Sequence, residues 1–115
     1  MSAPRLYHIT SAREARAAAQ AGRYTPDAFN REGFIHCSYA HQVLATVNRI
    51  FRGRTDLVLL EIDPALLGCE VVDENLEGGA ELFPHIYGRL PMAAVVQVHA
   101  FPIDGLEFLA PRQGT

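Results

Sequence analysis

Hydrophobic and polar positions change period several times along the chain, and each change marks a predicted element. Residues 5–9 are mostly apolar and predict a first strand. Ser11 then precedes an alanine-rich run to about Ala21, and Gly22 follows that run. A serine three residues before a glutamate is typical of a helix N-terminus, and glycine is typical of a helix C-terminus. The pattern predicts a strand, a tight turn and a helix.

The next part of the chain predicts a short helical turn, a short strand and a longer helix. Thr25 before Pro26 suits the start of a helical turn, with the threonine as its cap and the proline as its first residue. Residues 34–37 predict a strand. Between residues 39 and 51, apolar residues recur at spacings of one, three and four, which is the pattern of one helix face.

Strands dominate the second half. Residues 57–63 are almost continuously apolar and predict a central strand. Residues 71–72 predict another short strand, and 93–101 predict a long one, which an Asp-Gly turn joins to residues 106–109 as a hairpin. The acidic, glycine-rich segment 73–84 predicts a loop that is a candidate lid.

These elements predict a single α+β domain over residues 1–115, because the helices come early and the strands crowd the second half. A chain of 115 residues is too short for two ordinary domains. Its composition, 49% hydrophobic and 20% charged, is typical of a globular protein. The sequence leaves the oligomeric state open.

The charge and cysteine content limit which binding partners and which cellular compartment the sequence predicts. The net charge is −3, and the nearest approach to a basic cluster, Arg49, Arg52 and Arg54, suits a solvated helix end better than a nucleic-acid surface. The sequence shows no signal peptide, and no apolar stretch approaches the roughly 20 residues of a membrane helix. Two cysteines make no disulfide framework. We therefore expect a cytoplasmic protein with no nucleic-acid or membrane partner.

Three histidines lie in otherwise apolar segments, each with a hydroxyl two positions further on. The pairs are His8 with Thr10, His36 with Ser38, and His85 with Tyr87. Residues two apart on a strand share a face, so each pair presents an imidazole beside a hydroxyl. A buried polar group without a partner costs roughly 1–3 kcal/mol, so each histidine needs one. Backbone groups are one source of partners, but three such pairs in one small domain favour a shared polar cleft.

The sequence supports a metal site and a cysteine nucleophile less well than a polar cleft. A set of His8, His36 and His85 is one that zinc accepts, but no spacing requires it, and we predict no metal. Cys37 follows His36, yet neighbours on a strand point to opposite faces. A buried structural thiol is therefore a better interpretation of Cys37 than a nucleophile.

The ordered motifs resemble a known family. They are Tyr-His-Ile-Thr, Glu-Gly-Phe-Ile-His-Cys-Ser, Leu-Val-Leu-Leu-Glu-Ile-Asp, Phe-Pro-His-Ile-Tyr-Gly and the closing Asp-Gly turn, and they cover nearly the whole chain. The family is a bacterial one of small domains of unknown function, domain-of-unknown-function family 952, which is grouped with the ADP-ribosyltransferase fold. The resemblance implies a bent, split β-core with two to three helices, and a cleft that takes NAD in true transferases.

The resemblance also implies roles for particular positions. In the transferases a first-strand histidine bonds a ribose, a tyrosine or histidine on a later strand packs on the nicotinamide, and a still later glutamate orients a ribose hydroxyl or the acceptor. His8 with Thr10 matches the first position, and His36 matches the second. The glutamate is missing, since the counterpart on the long strand is Gln97 or nothing. His85 occupies a place that the transferases do not obviously use.

We therefore predict that NAD or a related nucleotide binds in a histidine-lined cleft, with NAD as a candidate substrate for glycosidic transfer or cleavage. The predicted catalytic residues are His36 and His85, and the predicted binding residues are His8, Thr10, Ser38 and Tyr87. A non-catalytic sensor, which the missing glutamate favours, and a protein-interaction domain remain as alternatives. Replacing His36 or His85 with alanine is expected to abolish ligand binding and leave the fold intact.

Overall fold

Three small antiparallel sheets and three α-helices make up the described part of the chain, residues 3–76 and 79–100 of a computed structural model. The strands are β1 (Leu6–Ser11), β2 (Arg23–Tyr24), β3 (Ile35–His36), β4 (Leu57–Ile62), β5 (Glu70–Glu74), β6 (Phe83–Tyr87), β7 (Leu90–Pro91) and β8 (Val95–Ala100). The helices are α1 (Ala12–Ala21), α2 (Asp27–Glu32) and α3 (Val43–Ile50). The predicted α+β class is confirmed.

The first sheet has the order β1–β4–β8, with β4 in the centre as predicted. Side chains of β4 enter two core clusters alternately, because successive residues of a strand point to opposite faces. Leu60 and Ile62 pack into one cluster, and Leu57 and Leu59 pack into the other. Burial of both faces explains why this stretch of sequence is almost continuously apolar.

The second three-stranded sheet has the order β3–β6–β5 and is joined to the first by a bridge between Tyr7 and Ser38. The two residues exchange backbone hydrogen bonds of 2.8 Å in both directions. Strand β2 pairs with β7 in a separate ribbon. The bridge matters for function because it sets the first-strand histidine beside β3.

Helix α1 begins and ends at the predicted residues. The Ser11 side chain accepts a hydrogen bond from the backbone N–H of Glu14 at 3.1 Å. Gly22 adopts a left-handed conformation with φ 84°, and its N–H bonds the carbonyl of Ala18. A residue with a side chain would be strained at this φ, so glycine is required there. The Glu14 carboxylate does not complete a capping box; it accepts a hydrogen bond from the Thr10 hydroxyl.

Two helices, α2 and α3, begin differently from the prediction. Pro26, not Thr25, is the cap residue of α2, and the cap makes no side-chain hydrogen bond. The helix predicted over 39–51 begins as a 3₁₀ turn, Ala40–Gln42, before α3. The Gln42 side chain accepts a hydrogen bond from the backbone N–H of Tyr39, which caps this first turn.

Strand bounds also differ from the prediction. Only Ile35–His36 of the predicted strand 34–37 pairs as β3, because the following Ser38 bridges to β1 instead. The long strand predicted over 93–101 begins with a 3₁₀ turn, and its ladder covers Val95–Ala100. The predicted hairpin strand 106–109 lies outside the described residues.

The candidate lid is shorter than predicted. Strand β5 extends to Glu74, and β6 begins at Phe83, so both ends of the 73–84 segment belong to the sheet. None of the helices in the described ranges is long and apolar enough to cross a membrane.

Candidate functional site

A cleft of about 380 Å³ opens between β1, the chain around β3, and helix α3. This volume falls within the roughly 300–1,000 Å³ of small-molecule sites. Its polar lining includes His8, Arg31, Glu32, His36, Ser38, Thr46 and Arg49, and its apolar lining includes Ile9, Ile50, Phe51 and Phe83. The cleft therefore combines positive charge, hydrogen-bonding groups and apolar walls.

Three of the six predicted site residues border this cleft. They are His8, His36 and Ser38. The other three, Thr10, His85 and Tyr87, belong to the described chain but do not line it. The predicted set is thus divided between the cleft wall and positions behind it.

His36 forms a carboxylate–imidazole pair with Glu32 on the cleft wall. The His36 Nε2 lies 3.0 Å from a Glu32 carboxylate oxygen, and the two side chains are 38% and 40% exposed. The pair forms because α2 ends at Gly33, whose φ of 81° turns the chain back across the helix end. The sequence does not mark Glu32 as a site residue, because the glycine interrupts the helix and the spacing of four from Glu32 to His36 does not lie on one helical face.

The rings of Phe34 and His85 pack against the His36 imidazole on its core side. The Phe34 ring stacks on His85 at a centroid distance of 4.4 Å, and the His36 ring meets both nearly edge-on at 4.8 and 5.0 Å. His85 is only 1% exposed, and its Nδ1 lies 2.9 Å from a Glu74 carboxylate oxygen. His85 therefore supports His36 from the core side.

Tyr87 is tied to the same carboxylate. Its hydroxyl donates to the Glu74 oxygen that also bonds His85. The bond from Tyr87, followed by that from His85, lowers the pKa of Glu74 below its ordinary value. The shared, ionised carboxylate fixes the positions of both rings, so His85 and Tyr87 are joined as the sequence pattern predicted, but through Glu74.

His8 and Thr10 are joined by Tyr24, a residue that the sequence did not single out. The His8 Nε2 lies 2.9 Å from the Tyr24 hydroxyl, which lies 3.1 Å from the Thr10 hydroxyl. The Thr10 hydroxyl in turn donates to Glu14 at 2.9 Å. Tyr24 belongs to a two-residue strand, which is too short to show a period in the sequence.

The other ring nitrogen of His8 is fixed by the backbone. Its Nδ1 lies 2.5 Å from the His36 carbonyl oxygen. A carbonyl can only accept, so Nδ1 carries a proton. Burial lowers the pKa of His8 to about 4, although the carbonyl bond acts in the opposite direction. His8 is therefore neutral near pH 7, with its single proton on Nδ1.

The cations of the cleft were not predicted as site residues. Arg31 lies at the end of α2 beside Glu32, and Arg49 lies in the last turn of α3. Arg49 belongs to the basic triplet that was interpreted as a solvated helix end. Arg31 and Arg49 lie on different helices that only the fold brings to one cleft, so no sequence pattern marks them as a pair.

Burial raises the pKa of both cysteine thiols, which disfavours their thiolate forms. Cys37 packs into the core, and burial raises the pKa of its thiol far above the ordinary value. Both Cys37 and Cys69 are free thiols. Within residues 3–76 and 79–100, no group of three or more His, Cys, Asp or Glu side chains is placed to hold a metal ion.

Comparison with known proteins identifies the family. The family model described as protein of unknown function (DUF952) matches residues 9–98, and the chain belongs to this family. The crystal structure of protein CC0527 from Caulobacter crescentus is similar at 33% identity and a TM-score of 0.76, covering 88% of this chain and 89% of that one. The solution NMR structure of CC0527 is similar at 34% identity and a TM-score of 0.74, covering 88% and 87%. No curated protein matches.

Proposed function

We propose that this chain is an ADP-ribosyltransferase-like domain that binds NAD or a related nucleotide in the cleft. The observation that carries the proposal is the composition of the cleft, in which two arginines, a carboxylate–imidazole pair and apolar rings surround one space of about 380 Å³. A nucleotide has matching parts, namely anionic phosphates, a hydroxylated sugar and a flat base.

Each part of the ligand has a suitable partner. Arg31 and Arg49 bind the phosphate oxygens, because guanidinium groups form charge-assisted hydrogen bonds with phosphates. His36 and Ser38 bond the ribose hydroxyls from the wall that carries the β1–β3 bridge. The Phe51 and Phe83 rings offer apolar surface for the base.

The reaction that fits this arrangement is transfer or cleavage at the glycosidic bond of the nucleotide. The bond between the ribose carbon and the nicotinamide nitrogen breaks, and its electron pair leaves with the neutral nicotinamide. A hydroxyl of the acceptor, or water, forms the new bond to that carbon. Its proton passes to the Glu32–His36 pair, which acts as the general base.

The remaining predicted residues act through these groups. His8 holds the His36 backbone by bonding its carbonyl oxygen, and Thr10 holds His8 through Tyr24. His85 supports the His36 ring, and Tyr87 fixes the carboxylate that bonds His85. These four are positioning residues in this proposal.

A second candidate is binding without turnover, as in a sensor. Gln97, the counterpart of the transferase glutamate, lies on β8 opposite Glu61 and does not border the cleft. Its position favours this candidate, because the later strand then supplies no group to the reacting centre. The Glu32–His36 pair is what favours catalysis.

A ligand-observed NMR titration with NAD, ADP-ribose and nicotinamide, followed for hours, tests the proposal. We expect saturable binding of NAD, weakened about tenfold or more by His36→Ala, which is a loss of about 1.4 kcal/mol. His41→Ala is the matched control, because His41 is exposed and lies outside the cleft lining. Slow release of nicotinamide identifies the enzyme, whereas stable binding identifies the sensor. Failure of all three ligands to bind would overturn both candidates.

A further inference from the structure

A continuous chain of four hydrogen-bond contacts crosses the molecule from the cleft wall to an exposed carboxylate. It runs from the His36 carbonyl oxygen to His8 (2.5 Å), then to Tyr24 (2.9 Å), Thr10 (3.1 Å) and Glu14 (2.9 Å). His8, Thr10 and Tyr24 are buried. Glu14 is exposed and lines a surface depression with Ala17 and Arg23, so solvent protons reach it.

The four hydrogen-bond contacts between the His36 carbonyl and Glu14 share only three protons. The His36 carbonyl and an ionised Glu14 only accept, whereas the Tyr24 hydroxyl, the Thr10 hydroxyl and the neutral His8 ring carry one proton each. Three protons cannot fill four contacts. In the structure the Tyr24 hydroxyl donates to Thr10 and the Thr10 hydroxyl donates to Glu14, so the contact between Tyr24 and the Nε2 of His8 is left with two acceptors. Rotation of both hydroxyls towards His8 moves this unfilled contact to Thr10 and Glu14.

One added proton completes every contact. A proton that arrives on Glu14 passes to Thr10, the Thr10 proton passes to Tyr24, and the Tyr24 proton passes to the Nε2 of His8. His8 is then an imidazolium that donates to the His36 carbonyl and to Tyr24. Each hydroxyl now donates towards Glu14, which is ionised again, so the net change is one proton from solvent onto His8.

The free protein lacks this proton because charging His8 is unfavourable. Burial disfavours the cation most, and the neighbouring His36 adds repulsion, whereas the His36 carbonyl and Glu14 favour the cation. His8 borders the cleft. An anion bound there adds a further negative charge near the ring, which shifts the balance towards the charged form.

We propose that an anionic ligand of the cleft is bound together with one proton, which the chain from Glu14 to His8 takes up. The inference rests on the proposed function in that a ligand occupies this cleft. The proton offsets one negative charge of the ligand. Binding therefore strengthens as the pH falls, with Kd decreasing by up to about tenfold per pH unit where His8 is charged only in the complex.

Calorimetric titration with ADP-ribose at about pH 6 tests the inference. Two buffers that differ in protonation enthalpy are compared, because the difference in heat gives the number of protons taken up. We expect close to one proton for the natural chain and close to none for Tyr24→Phe, which keeps the buried ring but removes the hydroxyl from two contacts. Glu14→Gln changes only an exposed side chain, and we expect it to reduce the uptake at least twofold.

His36 is the competing proton acceptor, because it also lines the cleft. Nitrogen-15 chemical shifts of the imidazoles separate the two, since a neutral Nδ1–H ring and an imidazolium have different shifts. We expect His8 to change from the first form to the second when ADP-ribose binds. Uptake that is unchanged in both variants, or a charged His36 beside a neutral His8, would overturn the inference alone. Absence of binding in either buffer would overturn the proposed function and this inference with it.

Discussion

His36 and His85 lie directly opposite each other in the β3–β6 ladder, yet their environments differ greatly. The His36 side chain is 38% exposed and the His85 side chain 1%, because the Phe34 ring stacks on His85. Sharing a strand face therefore does not give two residues the same access to a ligand. The exposed imidazole is available for chemistry, and the buried one supports it.

His85→Ala is predicted to lower the free energy of unfolding by about 2–4 kcal/mol, which corrects the expectation from the sequence that this change leaves the fold intact. The change removes a buried ring, leaves a cavity beside Phe34, and deprives the Glu74 carboxylate of a hydrogen bond. Urea denaturation measures the loss. His41→Ala is the control, and its exposed position predicts a change within about 0.5 kcal/mol. Equal stability of the two variants would contradict the supporting role of His85.

The buried His8 predicts that stability falls with pH in a defined window. The unfolded chain takes up a proton on His8 near the ordinary pKa of 6.5, whereas burial lowers the folded pKa to about 4. Between these values only the unfolded state gains the proton. The free energy of unfolding is therefore predicted to fall by up to about 3 kcal/mol as the pH is lowered from 6.5 to 4.

Urea denaturation at several pH values between about 4.5 and 7 checks this prediction. His8→Gln should flatten the dependence, because the titrating ring is gone, whereas His41→Gln should keep it. The carboxyl of Glu74, whose pKa is also lowered, loses its contribution mainly below this range. A dependence that survives in His8→Gln would show that another group is responsible.

At the scale of elements, the sequence predicted the strands and helices that have a periodic pattern. It did not predict the contacts that residues near turns make with other elements. Alternation along 34–38 placed His36 and Cys37 on opposite faces, and the structure agrees, with Cys37 in the core and His36 half exposed. Tyr24 and Glu32 were missed for a common reason. Each lies where the chain reverses, and its partner is set by the direction of that turn, which carries no period.

Gly88, just after β6, lies close to Cys69, just before β5. A Cβ atom at Gly88 would lie 2.7 Å from both the Cβ and the Sγ of Cys69, closer than side-chain atoms normally pack. Gly88→Ala is predicted to lower the free energy of unfolding by about 1–3 kcal/mol. Gly68→Ala is the matched control, because nothing lies within 4 Å of a Cβ there. Coincident denaturation curves for the two variants would rule out a steric need for this glycine.

At the scale of the whole molecule, the charge of the cleft opposes that of the chain. The net charge is −3, so the long-range field repels an anion. Among the described residues that line the cleft, the two arginines Arg31 and Arg49 outnumber the one carboxylate, Glu32. Composition predicted no nucleic-acid surface, and it could not reveal this small positive region. Its arginines come from two helices that only the fold brings together.

Replacing Arg31 tests whether the positive charge of the cleft lining contributes to anion binding. Arg31→Gln is predicted to weaken ADP-ribose binding about tenfold, because a charge-assisted hydrogen bond to phosphate is worth roughly 1.5–3 kcal/mol and part of it is lost to solvent screening. Arg13→Gln alters the net charge equally, but Arg13 lies exposed on α1 outside the cleft lining. Calorimetry at low and moderate salt should show normal affinity for Arg13→Gln and a weaker salt dependence for Arg31→Gln. Equal losses in the two variants would mean that the net charge, and not the cleft, controls binding of the anion.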